Sequence, residues 1–174
     1  NLLFDDRVLL IDKPTGETSF ETMKRVQRAI GVKKAGHCGT LDRFASGLLV
    51  ITTGKASRIS QFMLESDKSY RALVSLGVDS PSHDPETECS YVPVPDDAFD
   101  RLAAVLKTFE GKQNQLPPVY SALKIQGKRA SDRVRSGESV ELKNRPVTIH
   151  SLRLLSVDME SRRFEIDIVC SKGT

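Results

Sequence analysis

Between a helical pattern and an unbroken apolar run, the chain carries twelve residues, Gly36-His37-Cys38-Gly39-Thr40-Leu41-Asp42-Arg43-Phe44-Ala45-Ser46-Gly47, with three glycines, one histidine, one cysteine and one acid. So much glycine cannot extend either neighbouring element, so the stretch must be a loop held by both. Upstream, Thr18 and Glu21 stand at capping-box spacing. Phe20, Met23, Val26 or Gln27, and Ile30 then follow at helical intervals until Gly31, which predicts a helix from about Ser19 to Ile30. Downstream, Leu48 to Thr53 lacks polar alternation and predicts a strand buried on both faces. Whatever else the chain forms, it must present this loop on a rigid frame, and such loops usually carry function.

The remaining pattern supplies the frame. Val8 to Ile11 reads as a strand ending in the turn Asp12-Lys13-Pro14-Thr15-Gly16, and Ala56, Ile59, Ser60 and Met63 suggest a short second helix. Tyr70, Ala72, Val74, Leu76 and Val78 alternate with Arg71, Ser75 and Gly77 as in a half-buried strand, with apolar Leu73 against the pattern. Asp79 to Ser90 predicts an exposed loop. Asp96 is placed to cap a helix lined by Phe99, Leu102, Ala103, Leu106 and Phe109 and ending near Gly111. Tyr120 to Ile125 reads as extended and Ala130 to Arg135 as a short helix, followed by strands at Val140 to Lys143, Val147 to Val157 and Phe164 to Cys170. The class expected is α+β, with a mixed, largely antiparallel sheet flanked by helices.

At 174 residues the chain suits one domain. Three cysteines, Cys38, Cys89 and Cys170, with no C-x-x-C spacing argue against a disulfide framework and a zinc site. The chain has no run of about 18 or more apolar residues, and its first residues lack the features of a signal peptide, so the expected location is the cytoplasm. It begins without methionine and stops at Ser171-Lys172-Gly173-Thr174 directly after a patterned strand, which reads as a piece truncated at both ends. Net charge is +3, but the positive charge is segregated. Lys24, Arg25, Arg28, Lys33, Lys34 and Arg43 face one acid, Asp42, and a second basic run spans Lys124 to Arg145. One such run is commonly just a solvated face; two of them flanking a candidate loop fit a polyanion binder.

Asp42 is the candidate reactive group. An aspartate's ordinary pKa, about 3.9, leaves it ionised at pH 7 and able to act as nucleophile or base, although a turn former or helix cap is the plainer reading of an acid in a loop. His37 and Cys38 are adjacent, which suits neither a metal site nor a thiol–imidazole pair. Tyr70 reads as a core or edge aromatic, or as a platform on which a nucleic-acid base stacks.

Gly36-His37-Cys38-Gly39-Thr40-Leu41-Asp42 followed by Ala45-x-Gly47 resembles the catalytic motif of the pseudouridine synthases, specifically the bacterial TruB family, which modifies uridine 55 in the T-arm of transfer RNA. Further segments resemble that family in order. They are Asp12-Lys13-Pro14-Thr15-Gly16-x-Thr18-Ser19, Ser66-Asp67-Lys68-x-Tyr70, the Gln115-x-Pro117-Pro118 to Arg129 segment, Arg145-Pro146-Val147, and Cys170-Ser171-Lys172-Gly173-Thr174. Arg43 stands where the family usually has proline, and echoes synthase branches that act on ribosomal RNA.

The resemblance implies the synthase catalytic-domain fold across residues 1–174 and a small RNA-binding PUA domain beyond them. It implies isomerisation of uridine to pseudouridine by a flipped-base route, without cofactor or metal, in a monomer whose partner is the transfer RNA T-arm. By the same resemblance Asp42 is the nucleophile, and Tyr70 stacks on the base and assists proton movement. His37 holds the RNA loop open, Lys13 supports the loop or a phosphate, and Lys124, Lys128 and Arg129 position the RNA backbone. The competing expectations are a synthase with another RNA target and a non-catalytic RNA-binding module; a thiol or metal hydrolase using His37 and Cys38 ranks behind both.

Overall fold

The structure, a computed structural model, describes residues 3–117, 124–125, 128–129 and 144–174. They fall into two compact units, Asn1–Ser66 and Asp67–Thr174.

In the first unit, β1 (Val8–Lys13) leads through a turn into α1 (Ser19–Ile30), β2 (Ala35–His37) and β3 (Gly47–Thr53), and a 3₁₀ turn (Gly54–Ile59) runs on into α2 (Ser60–Glu65). The sheet order is β1-β3-β2, antiparallel throughout, with Ile11 opposite Leu49 and His37 opposite Ile51. Helix α1 starts where the sequence predicts, because the capping box is complete. Thr18 Oγ accepts from the Glu21 amide, and the Glu21 carboxylate accepts from the Thr18 amide at 2.7 Å. It ends on left-handed Gly31, φ 70°, whose amide reaches back to the Gln27 and Arg28 carbonyls. The apolar stripe of α1, Met23 and Val26, packs on Leu9, Ile11, Ala35, Leu49 and Ile51.

β3 departs from the expectation of burial on both faces. Leu49 and Ile51 are sealed under α1, whereas Leu48 is 65% exposed. The strand's burial alternates from Leu48 to Ile51 where the sequence does not, and both faces close only at Thr52 and Thr53.

The second unit is an antiparallel sheet in the order β4-β11-β10-β7, formed by β4 (Lys68–Ser75), β7 (Gly111–Gln115), β10 (Arg145–Asp158) and β11 (Arg163–Cys170). Between β4 and β7 come a small ladder, β5 (Val78–Asp79) with β6 (Ser90–Tyr91), and helix α3 (Ala98–Thr108). Leu102 and Leu106 of α3 are buried against Phe164 and Ile166, with Ala72, Val74 and Leu154 around them. β11 follows the period-two reading, and Leu73, against the pattern in sequence, is on the exposed face.

Three expectations are corrected. Asp97, not Asp96, occupies the α3 N-cap and makes no side-chain capping bond. The Asp79 to Ser90 loop is closed by the β5–β6 ladder and buries Ser80 and Ser82, whose hydroxyls donate to Asp84. β7 was absent from the pattern because its five residues, Gly-Lys-Gln-Asn-Gln, carry no apolar alternation; pairing with β10 makes it a strand, and its polar side chains suit a sheet edge. The readings at Ala130 to Arg135 and Val140 to Lys143 lie outside the described residues, as does most of Tyr120 to Ile125. There only β8 (Lys124–Ile125) is described, paired antiparallel with β9 (Lys128–Arg129).

Opposite the α3 face, Asp167 sits between two arginines from neighbouring strands, Arg71 of β4 at 2.8 Å and Arg153 of β10 at 3.0 Å. Hydrogen bonds from Arg71 first and Arg153 second hold its carboxyl below the usual carboxylate value. A lowered folded-state pKa stabilises fully above the unfolded value, and that contribution is lost as pH falls through the folded one. Asp167→Asn should therefore flatten the acid limb of stability measured by urea unfolding at stepped pH. An acid limb identical to that of the parent protein would show that the ladder contributes nothing.

Candidate active site

The loop that leaves β2 is bound to the frame on both sides of Asp42. Before it, Ser19, the first residue of α1 and 1% exposed, brackets Leu41 with one hydroxyl. Its Oγ accepts from the Leu41 amide at 2.8 Å and donates to the Leu41 carbonyl at 3.1 Å. After it, Arg43 is tied to the turn that precedes α1. The Arg43 carbonyl accepts from the Gly16 amide at 2.8 Å, and its guanidinium donates to the Gly16 carbonyl at 2.8 Å and to the Glu21 carboxylate at 3.2 Å. Asp42 itself is exposed, and its carbonyl accepts from the Ala45 amide in a tight turn. Two anchors thus fix the backbone of an acid that solvent or a ligand can reach.

That turn is braced from below. Lys13 is fully buried at the end of β1, and its ammonium donates to the carbonyls of Pro14 at 2.9 Å and Glu17 at 2.7 Å. Its ammonium is spent on the backbone of the turn between β1 and α1. Lys13→Met removes both charge-assisted bonds from a site closed to water and should lower unfolding free energy by about 2 kcal/mol. A urea midpoint within error of the parent would disprove the brace.

Glu17 and Glu21, on either side of the helix start, are both held below the usual carboxylate value. For Glu17 the main cause is the bond from the Thr22 hydroxyl, then Arg25; for Glu21 it is the Thr18 amide, then the Thr18 hydroxyl, with Arg43 adding to it. Both carboxylates therefore remain anionic anchors for the arginines beside them.

His37 is half-buried at the end of β2. Its Nδ1 lies 2.5 Å from the Gly39 carbonyl, and because a carbonyl only accepts, a ring hydrogen is assigned to Nδ1. Gly39 and Gly47 take φ of 119° and 125°, which side-chain-bearing residues rarely adopt; these two glycines set the bends at which the loop leaves and rejoins the sheet. The Cys38 thiol is buried and its amide is bonded to Val50, so it does not stand beside the His37 ring as an exposed nucleophile.

Lys13, His37 and Asp42 all belong to the first unit, with Lys13 opposite Gly47 at the end of the loop and His37 opposite Ile51 further along β3. Tyr70 belongs to the second, on β4 opposite Ile168 and 41% exposed. For Lys124, Lys128 and Arg129 the backbone ladder alone is described. Ser19 closes a motif that resembles the family, but its bond to Leu41 and the anchoring contacts of Arg43 are not legible from sequence: Ser19 lies 22 residues from its partner Leu41.

An accessible carboxylate immobilised at both neighbours on an antiparallel α+β frame suits an enzyme that attacks a substrate with an acid. The chain belongs to the TruB family of pseudouridylate synthases, whose N-terminal domain matches residues 27–174. It is similar to tRNA pseudouridine synthase B of Aromatoleum aromaticum (strain DSM 19018 / LMG 30748 / EbN1), 45% identical over 172 residues, covering 97% of this chain and 54% of the relative. The enzyme of the same description from Coxiella burnetii (strain RSA 331 / Henzerling II) is 47% identical over 173 residues, with 97% and 54% covered. The chain thus spans about half the length of the curated relatives it matches.

Among solved structures, one chain of a Cbf5-Nop10-Gar1 complex matches with a TM-score of 0.70 and 28% identity, over 96% of this chain and 40% of that one. A chain from an H/ACA RNP bound to a substrate RNA containing 2'-deoxyuridine matches with a TM-score of 0.65 and 26% identity, over 96% and 38%.

Proposed function

We propose that the protein to which this chain belongs converts uridine to pseudouridine in the T-arm of transfer RNA, at position 55, with Asp42 as the nucleophile. The observation that carries the reading is the double anchoring of an exposed Asp42 between Leu41 and Arg43. A positioned carboxylate gains most when its backbone need not reorganise during reaction. Relatives named tRNA pseudouridine synthase B support the substrate.

Substrate and product are isomers. The N1–C1′ bond of uridine breaks, a C5–C1′ bond forms, the C5 proton leaves and N1 gains one, so neither cofactor nor metal is consumed or required by the balance. A base within a folded stem-loop must first leave its stack, at a cost of a few kcal/mol that stacking in the pocket offsets. Tyr70 supplies that stacking surface and assists the C5 proton, and His37 keeps the RNA loop open. Lys13 keeps the turn under Arg43 in place, and Lys124, Lys128 and Arg129 hold the backbone without reading sequence. A PUA domain completes the RNA grip, and the protein works as a cytoplasmic monomer.

Because the C5 hydrogen is lost, full-length protein given transfer RNA transcript tritiated at uridine C5 should release tritium to water, one equivalent per transcript. Tight binding without release would instead favour a non-catalytic RNA-binding module.

A further inference from the structure

Beside the anchored loop, the first unit carries an open groove of about 620 Å³ lined by Gly16, Glu17, Glu21, Arg25, Arg28 and Arg43. Its three guanidiniums come from two sources: Arg25 and Arg28 are one helical step apart on α1, and Arg43 comes from the loop directly after Asp42.

The two carboxylates in the groove are already engaged. Glu17 Oε2 accepts from the Thr22 hydroxyl at 2.8 Å and from Arg25 at 3.2 Å. Glu21 accepts from the Thr18 amide and hydroxyl and from Arg43. Each glutamate therefore acts as a bracket that fixes an arginine, and side-chain order is in place before a ligand arrives. Arg28 differs: among the described residues its Nε donates to the Lys24 carbonyl at 3.2 Å, and no carboxylate pairs with it. A fork with two terminal nitrogens remains to bind a tetrahedral anion in bidentate fashion. Gly16 contributes no side chain, and a Cβ placed there would meet nothing within 4 Å, so the mouth beside Arg43 is open.

We propose that this groove is a binding site for a backbone phosphate of the RNA substrate, with Arg28 as its principal ligand and Arg25 and Arg43 as pre-positioned neighbours. A phosphate seated there would be held next to the residue that follows Asp42, which sets the register of the strand against the reactive carboxylate. Arg43 then has two functions at once, anchoring the loop from inside and meeting the phosphate from outside. The inference rests on the RNA-modifying reading given above.

The test uses the full-length protein with Arg28→Gln, with Lys55→Gln as an exposed control cation outside the groove. Affinity for unmodified transfer RNA, and for a transcript with the target uridine replaced by cytidine, is measured from low to moderate salt. Losing one phosphate contact should weaken binding roughly five- to tenfold near 0.1 M salt and reduce the slope of log K against log salt by about 1. The loss should be equal on both RNAs, since a phosphate carries no sequence information. Lys55→Gln should leave affinity and slope as they were. An unchanged slope in Arg28→Gln overturns the site, as does an equal decrease in Lys55→Gln, which would assign the effect to net charge. Failure of the enzymatic reading shows separately, as absent tritium release by the parent protein with the Arg28 effect on RNA affinity intact.

Discussion

Asp42→Asn should abolish pseudouridine formation, with a fall in rate on the order of 10⁴-fold or more, while RNA affinity stays within a few-fold of the parent. The substitution keeps the shape of the side chain but removes the nucleophilic carboxylate. Because the side chain is exposed and the loop is held through Leu41 and Arg43, the fold should not depend on its charge. Single-turnover tritium release with saturating enzyme, paired with a binding titration, separates chemistry from affinity. Comparable rates in both proteins would remove Asp42 from the reaction.

Ser19→Ala should give the second largest effect. Ser19 is 1% exposed and its hydroxyl serves both the amide and the carbonyl of half-buried Leu41, so its removal leaves two partly buried backbone groups without their partner. An unsatisfied buried polar group costs about 1–3 kcal/mol. The loop can recover part of this by moving, and movement displaces Asp42; a shift of about 1 Å in a reacting group can cost on the order of 10²-fold in rate. Ser19 is a positioning residue, so the expected signature is a fall in kcat of that order with RNA Kd within about twofold. If Kd and kcat worsened in proportion, Ser19 would be a binding determinant and the anchoring account would be wrong.

The capping box at Thr18 and Glu21, the left-handed Gly31 and the alternation in β11 were legible because each is local: the residues that decide the structure are within a few positions of one another. Asp42 was legible as a glycine-flanked acid, and the role proposed for it came from motif resemblance. What the sequence concealed depends on contacts across the chain. β7 is polar throughout and becomes a strand only because β10 offers an edge. Leu48 looks like core, yet it occupies the uncovered face of an antiparallel strand. Arg43 appears in sequence as a departure from the family's proline, whereas in three dimensions it ties the loop to Gly16 and Glu21. Arg28 reads as one cation in a basic run until the groove shows that it, unlike Arg25 and Arg43, has no carboxylate partner among the described residues.

These features share one arrangement. The turn between β1 and α1, braced by Lys13 and fastened to Arg43, is built into the same assembly as the helix start that anchors Leu41 through Ser19. The N-terminal strand, turn and helix thus form the mount for the reactive loop. Damage to the Lys13 or Ser19 fastening should reach Asp42 without touching substrate.

The most direct measurement is single-nucleotide mapping of pseudouridine in unmodified transfer RNA after incubation with the full-length protein, run in parallel with Asp42→Asn. The account predicts one new pseudouridine, at position 55 of the T-arm, formed by the parent protein and absent with the variant. Modification that persists in Asp42→Asn, or that falls only at other positions, would contradict it.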